Sequence, residues 1–410
     1  MNKIIKILYT KLARVYFFIR FIILSVRQMS RRLPEDRPKI IFHLMDDRLY
    51  RDGDGSGRYA YLIMNLFSEG GYSVFFYKDL NFAGFMGLGR YGRFSYFVKN
   101  LKFISRLPDD TENYIYAFDN IDAGILDKAW EKRIYVNVLK PAYCKISEVI
   151  WIPYFFHPYM YKLKQDKRIL GMRKTPKKIR AFFGGNTTIK YYNNPALRSC
   201  YGQMSRSEGV NALMELGDKA KLINRTADYR KVLNGASYRN ECFIFKTDRA
   251  GFIRHEEWTR GVVASDFFVC LSGTDLPMCH NAIESMAVGT IPIISYSDWF
   301  FPSLEHKKNA IIYTDKADMI LKIKEVFEMK KDEIQCMREN VLQYYDTYLV
   351  SGRFIQNVER TGRDDATIML HPRLVPTPQE EQVGQAAIKE MNSYFIKKEK
   401  ISAGSRDKNG

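Results

Sequence analysis

Hydrophobic positions along the chain fall into two kinds of run. Short, nearly continuous apolar stretches at 39–45 (KIIFHLM), 72–77 (YSVFFY), 114–118, 133–139 and 149–153 read as buried strands. Residues 58–69 (RYAYLIMNLFSE) carry helical periodicity and stop at Gly70-Gly71. With the glycine-rich loop 46–57 between strand and helix, 39–77 reads as a strand–loop–helix–strand unit of a parallel sheet. The second half of the chain repeats this style. Strands are expected at 179–183, 242–246, 267–271 and 291–295, and helices at 194–205, 256–263 and 316–349. Residues 93–105 read as a basic amphipathic helix. Residues 151–160 (WIPYFFHPYM) leave the first sheet through Pro153 and Pro158, and 161–178 are strongly basic. The expected organisation is an N-terminal segment 1–33, an α/β domain 34–160, a basic linker 161–178, a second α/β domain 179–350, and a polar C-terminal extension 351–410, partly disordered.

Residues 1–29 are rich in aliphatic and aromatic side chains, but Lys3, Lys6, Lys11, Arg14, Arg20 and Arg27 interrupt them. The uncharged runs are far shorter than the ~20 residues a membrane span needs. No small-residue cleavage site follows. A basic helix of this kind is expected to lie on an anionic membrane surface, and the expected location is cytoplasmic, peripheral on the inner face of a membrane.

Charge strengthens the expectation of acidic partners. The 410 residues carry 64 Lys and Arg against 46 Asp and Glu, a net +18, which suits a phosphorylated substrate, anionic lipid or nucleic acid. Hydrophobic residues at 46% suffice for extensive cores. The six cysteines form no C-x-x-C pair, and the histidines show no metal-binding spacing, so neither a disulfide framework nor a zinc site is expected. No dinucleotide or P-loop fingerprint appears in the glycine loop, and no nucleic-acid motif is present, so nucleic acid is not an expected partner.

The stretch 264–314 concentrates the candidate chemistry. A strand is followed by a Gly/Asp/Pro loop, a short helix, the turn Gly289-Thr290 and a second strand, which places the loop and the helix start where parallel sheets bind anions. Two strand–helix domains of this type suit a diphosphate-bearing donor, whose leaving group develops negative charge. That charge needs a metal ion or fixed cations with a helix N-terminus. Asp52-Gly53-Asp54 is an Asp-x-Asp pair in the first domain's loop, not at a strand end, so a metal-independent site is expected in the second domain. Lys246, Arg249 and Arg254 are its candidate diphosphate partners.

At this point the residues resemble a family. KIRAFFGGN, SDFFVCLSGTDLP, AIESMAVGTIPIIS and SDWFFPSLEHKKNAIIYT, spread over 179–315, resemble in order and spacing the C-terminal domain of exostosin-like glycosyltransferases, within the wider GT-B architecture. The likeness covers about a third of the chain, and its acid–x–x–x–x–Gly–x–x–Pro element, Glu284 to Pro292, is widespread in GT-B enzymes. The resemblance implies two doubly wound parallel-sheet domains facing a cleft. It implies that Glu284 accepts hydrogen bonds from the donor's ribose or sugar diol, and that Gly273, Thr274 and Asp275 line the donor pocket. Family members commonly carry an arginine just before the acidic helix. Here Met278-Cys279-His280-Asn281 stands, so His280 or a basic residue from 246–260 is expected at the phosphate, with Asn281 among the donor-binding residues. Leu276 stands where a retaining subgroup has a second glutamate.

An inverting transfer needs a base for the acceptor hydroxyl. The candidates are acids of the first domain, Asp46, Asp47, Asp52, Asp54 and Asp119, and His43. Asp54 and Asp119 are taken as catalytic, with Gly55, Gly57 and Arg58 lining an acceptor-side loop. The expected activity is therefore transfer of a sugar, of hexosyltransferase type, from a nucleotide-sugar to a growing cell-surface glycan or lipid-linked oligosaccharide. The nucleotide-sugar is a co-substrate, and no cofactor is expected. The alternative is a membrane-associated degenerate transferase that binds nucleotide or glycan without catalysis.

Overall fold

The computed structural model describes residues 3–51, 57–120, 125, 128–137, 149–152, 155–247, 255–274, 276–300, 302–363 and 365–369. The described strands, in chain order, are β1 (Lys39–His43), β2 (Ser73–Tyr77), β3 (Leu101–Ile104), β4 (Tyr114–Phe118), β5 (Lys132–Asn137), β6 (Val149–Trp151), β7 (Ile179–Gly185), β8 (Ala220–Ile223), β9 (Arg239–Lys246), β10 (Ser265–Val269), β11 (Ile291–Ile294), β12 (Ile311–Ile312) and β13 (Ala366–Met369). They form two sheets, in the orders β3-β2-β1-β4-β5-β13-β6 and β12-β11-β10-β7-β9-β8. Every pairing in both is parallel. The chain is thus built of two parallel-sheet α/β domains, as its hydrophobic pattern predicts. One comprises Met1–Ile152 and Ile355–Gly410, the other Pro153–Phe354.

Parallel strands covered on both faces need apolar residues at successive positions rather than alternate ones. Ile40, Ile41 and Phe42 of β1 are fully buried, as are Phe267 and Val269 of β10 and Ile291, Ile293 and Ile294 of β11. In the first domain helix α1 (Lys3–Met29) precedes β1, and α2 (Tyr59–Glu69) connects β1 to its parallel neighbour β2, closing a crossover unit. β1 lies between β2 and β4, and in the second sheet β7 lies between β9 and β10. In each sheet the chain leaves the first strand towards one side and later returns on the other. The crevice at the carboxyl ends of that central pair is where such sheets accept ligands.

Three local expectations differ from the structure. The stretch read as one basic helix over 93–105 forms a short 3-10 helix, Gly92–Phe97, and then β3. β3 alternates buried and half-buried positions over only four residues, so its strand period is hidden among basic and aromatic neighbours. The first domain ends at Ile152, before the basic segment 161–178, which belongs to the second domain. The C-terminal extension is partly structural. Residues 366–369 enter the first sheet between β5 and β6. Lys132 Nζ bonds the carbonyls of Val358 (3.0 Å) and Gly362 (3.2 Å), and the Arg133 backbone N–H donates to Asp365 (2.9 Å), holding the returning segment in place. A four-residue strand, ATIM, followed by a polar tail carries little signal by itself.

Candidate functional site

The second domain's site is built around the end of β7, the end of β10 and the start of one helix. After β10 the chain runs through Ser272-Gly273 into a tight loop in which the Gly273 N–H donates to the Leu276 carbonyl at 2.9 Å. A Cβ on Gly273 would lie 2.7 Å from that carbonyl oxygen, so the loop closes this tightly only with glycine there. The loop delivers Cys279 as the N-cap of a helix of eight residues, His280–Ala287. The cap residue is extended and makes no side-chain capping bond. The first backbone N–H groups of this helix therefore lack the usual capping acceptor and carry the positive end of its dipole.

Arg206 faces that helix start. It is the first residue of another helix, Arg206–Met214, whose N-cap Ser205 and Glu208 form a reciprocal capping box. Gly209 in the next turn lets this helix approach β10's exit closely, since a Cβ there would lie 2.6 Å from the Leu271 side chain. Arg206 is consequently 5% exposed. Its Nε donates to the Ser272 carbonyl (3.0 Å), one terminal nitrogen to the Asn186 carbonyl just past β7 (3.3 Å), and the other to the Cys279 Sγ (3.6 Å). Its guanidinium stacks on Tyr192, 4.1 Å from the ring centre. Among the described residues no carboxylate lies within ion-pair distance of it. Carbonyls satisfy its N–H groups but do not neutralise its charge, and a buried uncompensated cation is costly unless an anion completes the site. Asn281, 6% exposed in the first turn of the same helix, donates to the Gly184 carbonyl (3.4 Å), while its Oδ1 has no partner among the described residues.

The expected donor residues distribute around this centre as follows. Gly273 and Thr274 lie in the loop, half-buried, and the Thr274 carbonyl accepts from Asn194 Nδ2 (3.2 Å). Lys246 ends β9, in register with Gly185 of β7, so its backbone is one strand away from the crevice. Arg249, Arg254 and Asp275 lie outside the described residues. Glu284 is 3% exposed. Its Oε2 accepts from the Trp258 indole N–H (2.9 Å) and its Oε1 from the His157 backbone N–H (2.9 Å). His280 Nδ1 stands 3.2 Å from Oε1, near enough for an ion pair when protonated but out of line for a hydrogen bond. Both carboxylate oxygens thus already hold protein donors, and the carboxylate ties together its own helix, the helix His255–Val263 and the loop at 157. The group of this cluster nearest the surface is the His280 ring, 21% exposed.

The first domain's candidates sit at the matching crevice. Asp119 follows β4 and is half-buried; its two oxygens accept from the backbone N–H groups of Met45 (2.7 Å) and Asp46 (2.8 Å) beyond β1. Burial pushes its carboxyl above the ordinary value, against the lowering effect of those two bonds. His43 Nδ1 lies 2.6 Å from the Tyr116 hydroxyl. Asp46 pairs with Arg48 and Asp47 with Arg51. Gly57 is buried and Arg58 half-buried at the start of α2, whereas Asp52, Asp54 and Gly55 lie outside the described residues.

Arg206 escaped the sequence reading, which looked for the phosphate cation in 246–260. The signal was present: Ser205-Arg206-Ser207-Glu208 is a capping box that marks a helix start. A helix drawn through 194–205 hides it, whereas the structure ends that helix at Tyr201 and begins the next at Arg206.

No protein-family model and no curated protein matches the chain. Among solved structures, Anabaena Alr3699/HepE in complex with UDP aligns at 10% identity over 79% of this chain and 99% of that one, with a TM-score of 0.41. T4 phage BGT in complex with its UDP-glucose substrate aligns at 12% identity over 79% and 99%, with a TM-score of 0.36. A mutant of S. aureus TarM in complex with Fondaparinux, alpha-GlcNAc-glycerol and UDP aligns at 10% identity over 62% and 56%, with a TM-score of 0.35. Likenesses this distant carry no functional argument, so the function rests on this chain's own residues.

Proposed function

We propose that the chain is a glycosyltransferase that binds a nucleotide-sugar in its second domain and transfers the sugar to a growing glycan or lipid-linked oligosaccharide. The observation that carries this reading is the buried Arg206, without a carboxylate partner among the described residues, at the start of the helix His280–Ala287, whose N-cap makes no side-chain capping bond. That pairing of a fixed cation with a helix N-terminus that has no side-chain cap is an anion site, placed at the switch point of a parallel sheet. The resemblance of 179–315 to exostosin-like transferases supplies the class of anion: the diphosphate of a sugar donor.

In this reading Arg206 and the helix start hold the diphosphate and stabilise the charge that grows on the leaving oxygen as the glycosidic bond breaks, so no metal ion is required. The group is held rigidly by carbonyls and by the Tyr192 ring, so little reorganisation accompanies that charge. Asn281 Oδ1 is positioned to accept from a donor hydroxyl or base N–H. Glu284 acts by positioning, holding Trp258 and the loop at 157 and setting the His280 ring at the site's margin. Asp119 and Asp54 remain the proposed acids of the acceptor side. A bound Asp119 carboxylate with a raised pKa suits a general base better than a fully solvated one.

Thermal unfolding in the presence of UDP, GDP, ADP and CMP series tests the reading, since a ligand of the folded state raises Tm by mass action. A rise with one nucleoside diphosphate, lost in Arg206→Met, is expected, followed by transfer from the matching sugar donor. The absence of any response to nucleoside diphosphates and nucleotide-sugars would overturn it. Nucleotide binding without transfer across donors and acceptors would favour the non-catalytic alternative.

A further inference from the structure

From Lys11 onwards, helix α1 packs on the first domain by one side. The Phe21 ring meets Phe82 and Phe85, with centres 5.7 and 5.6 Å apart, while Leu24 and Gln28 are buried and Gln28 Nε2 donates to the Tyr96 carbonyl (3.3 Å). The opposite side is apolar and uncovered. Leu12, Val15, Ile19, Ile22, Ile23 and Val26 are between 45% and 65% exposed. At about 100° per residue these six fall within a single arc of roughly 100°. Arg20 and Arg27 border the arc on one side and Lys11 on the other, and the helix contains no acidic residue. Arg20 lies against the Phe97 ring, 5.9 Å from its centre, and that ring is itself 41% exposed.

A contiguous apolar face of this size is unusual on a free protein surface and marks a docking site. Two occupants fit an apolar face: a second copy of the chain and a lipid surface. Self-association through this face would bring two basic borders together, because an isologous contact presents the same patch twice. A bilayer with anionic head groups instead accepts the aliphatic arc into its interfacial region and pairs with both borders. Among the described residues no helix is long and apolar enough to cross a membrane, so the mode is lying on the surface rather than spanning. We propose that α1 lies flat in the head-group region of an anionic membrane leaflet, with the arc from Leu12 to Val26 inserted and Lys11, Arg20 and Arg27 on lipid phosphates. The cytoplasmic leaflet has that chemistry. The proposal does not depend on sugar transfer.

The test is flotation of the full chain with vesicles of phosphatidylcholine alone and of phosphatidylcholine with phosphatidylglycerol. Binding is expected to the second, falling as salt rises. Ile19→Glu with Ile23→Glu should reduce it by about a hundredfold or more. Lys11→Gln, Arg20→Gln and Arg27→Gln should each weaken it about fivefold at low salt. Because Ile19 and Ile23 are exposed, an unchanged thermal unfolding curve confirms that the double variant folds. Failure of the unaltered chain to float with anionic vesicles, or equal flotation of the double variant, would overturn the proposal. So would sedimentation showing a dimer that the double variant dissociates, with no vesicle binding.

Discussion

The two domains place polar groups at equivalent crevices and treat them oppositely. At the end of β4 the acid Asp119 spends both oxygens on the backbone of the loop after β1, and the nearby arginines Arg48 and Arg51 are each matched by an aspartate. Beyond β10 the acid Glu284 is more deeply buried and likewise holds two protein donors, but the cation Arg206 is buried among carbonyls with no carboxylate within ion-pair distance among the described residues. Among the described residues the arginines beside the first crevice are paired with aspartates, whereas the buried arginine of the second has no carboxylate partner. Similar sheets therefore do not imply similar sites; the local charge balance decides which one awaits a ligand.

The sharpest way to break this contrast is Arg206→Met. Loss of charge-assisted bonds to a diphosphate should weaken nucleoside diphosphate affinity about tenfold to a hundredfold, measured by calorimetry. Retained affinity would remove the distinction between the crevices. Next in size, Trp258→Phe leaves Glu284 Oε2 without its indole donor in a buried setting, and should cost about 1–3 kcal/mol in denaturant unfolding. An unchanged midpoint would mean that the Glu284 cluster is not structural.

Asp119→Asn should cost about 1 kcal/mol, because an amide oxygen and an NH₂ group cannot both accept from the two loop N–H groups. Its pH dependence sharpens the result. The folded carboxyl titrates above the ordinary 3.8, so the folded state holds the proton longer than the unfolded state. Ionising this buried carboxyl therefore lowers wild-type stability as pH rises from the unfolded value through the folded one, and the asparagine variant lacks that slope. Wild-type and variant unfolding curves with the same pH slope would refute the assignment. The smallest effect belongs to Arg48→Ala. Its partner Asp46 is solvent-accessible and the pair lies at the surface, so stability should change by less than about 1 kcal/mol, with no change in nucleotide affinity.

Much of the fold is legible along the chain because buried parallel strands leave continuous apolar runs, as at Ile40–Phe42 and Ile291–Ile294, and because glycines punctuate the helices between them. Short strands such as β3, β8, β12 and β13 lack that length, and their identity comes from neighbours far away in sequence. The loop and helix of the second site are legible for the same reason as the strands that frame them. Arg206 is not, since its importance arises only when folding brings residues 186, 206, 272 and 279 together. A charge pattern read along the chain finds basic clusters, while the informative cation here is a solitary one with no carboxylate partner among the described residues.

The returning strand β13 also has a consequence for how the protein is made. During synthesis the first sheet reaches β6 while the strand that belongs between β5 and β6 is still more than two hundred residues from the ribosome's active centre. The second domain, encoded without interruption between these pieces, can close first. Until Met369 emerges, β5 and β6 offer unpaired parallel edges, the kind of surface that recruits chaperones or neighbouring chains. A message cut short near its end would thus damage the domain encoded at its beginning, and leave the second domain intact.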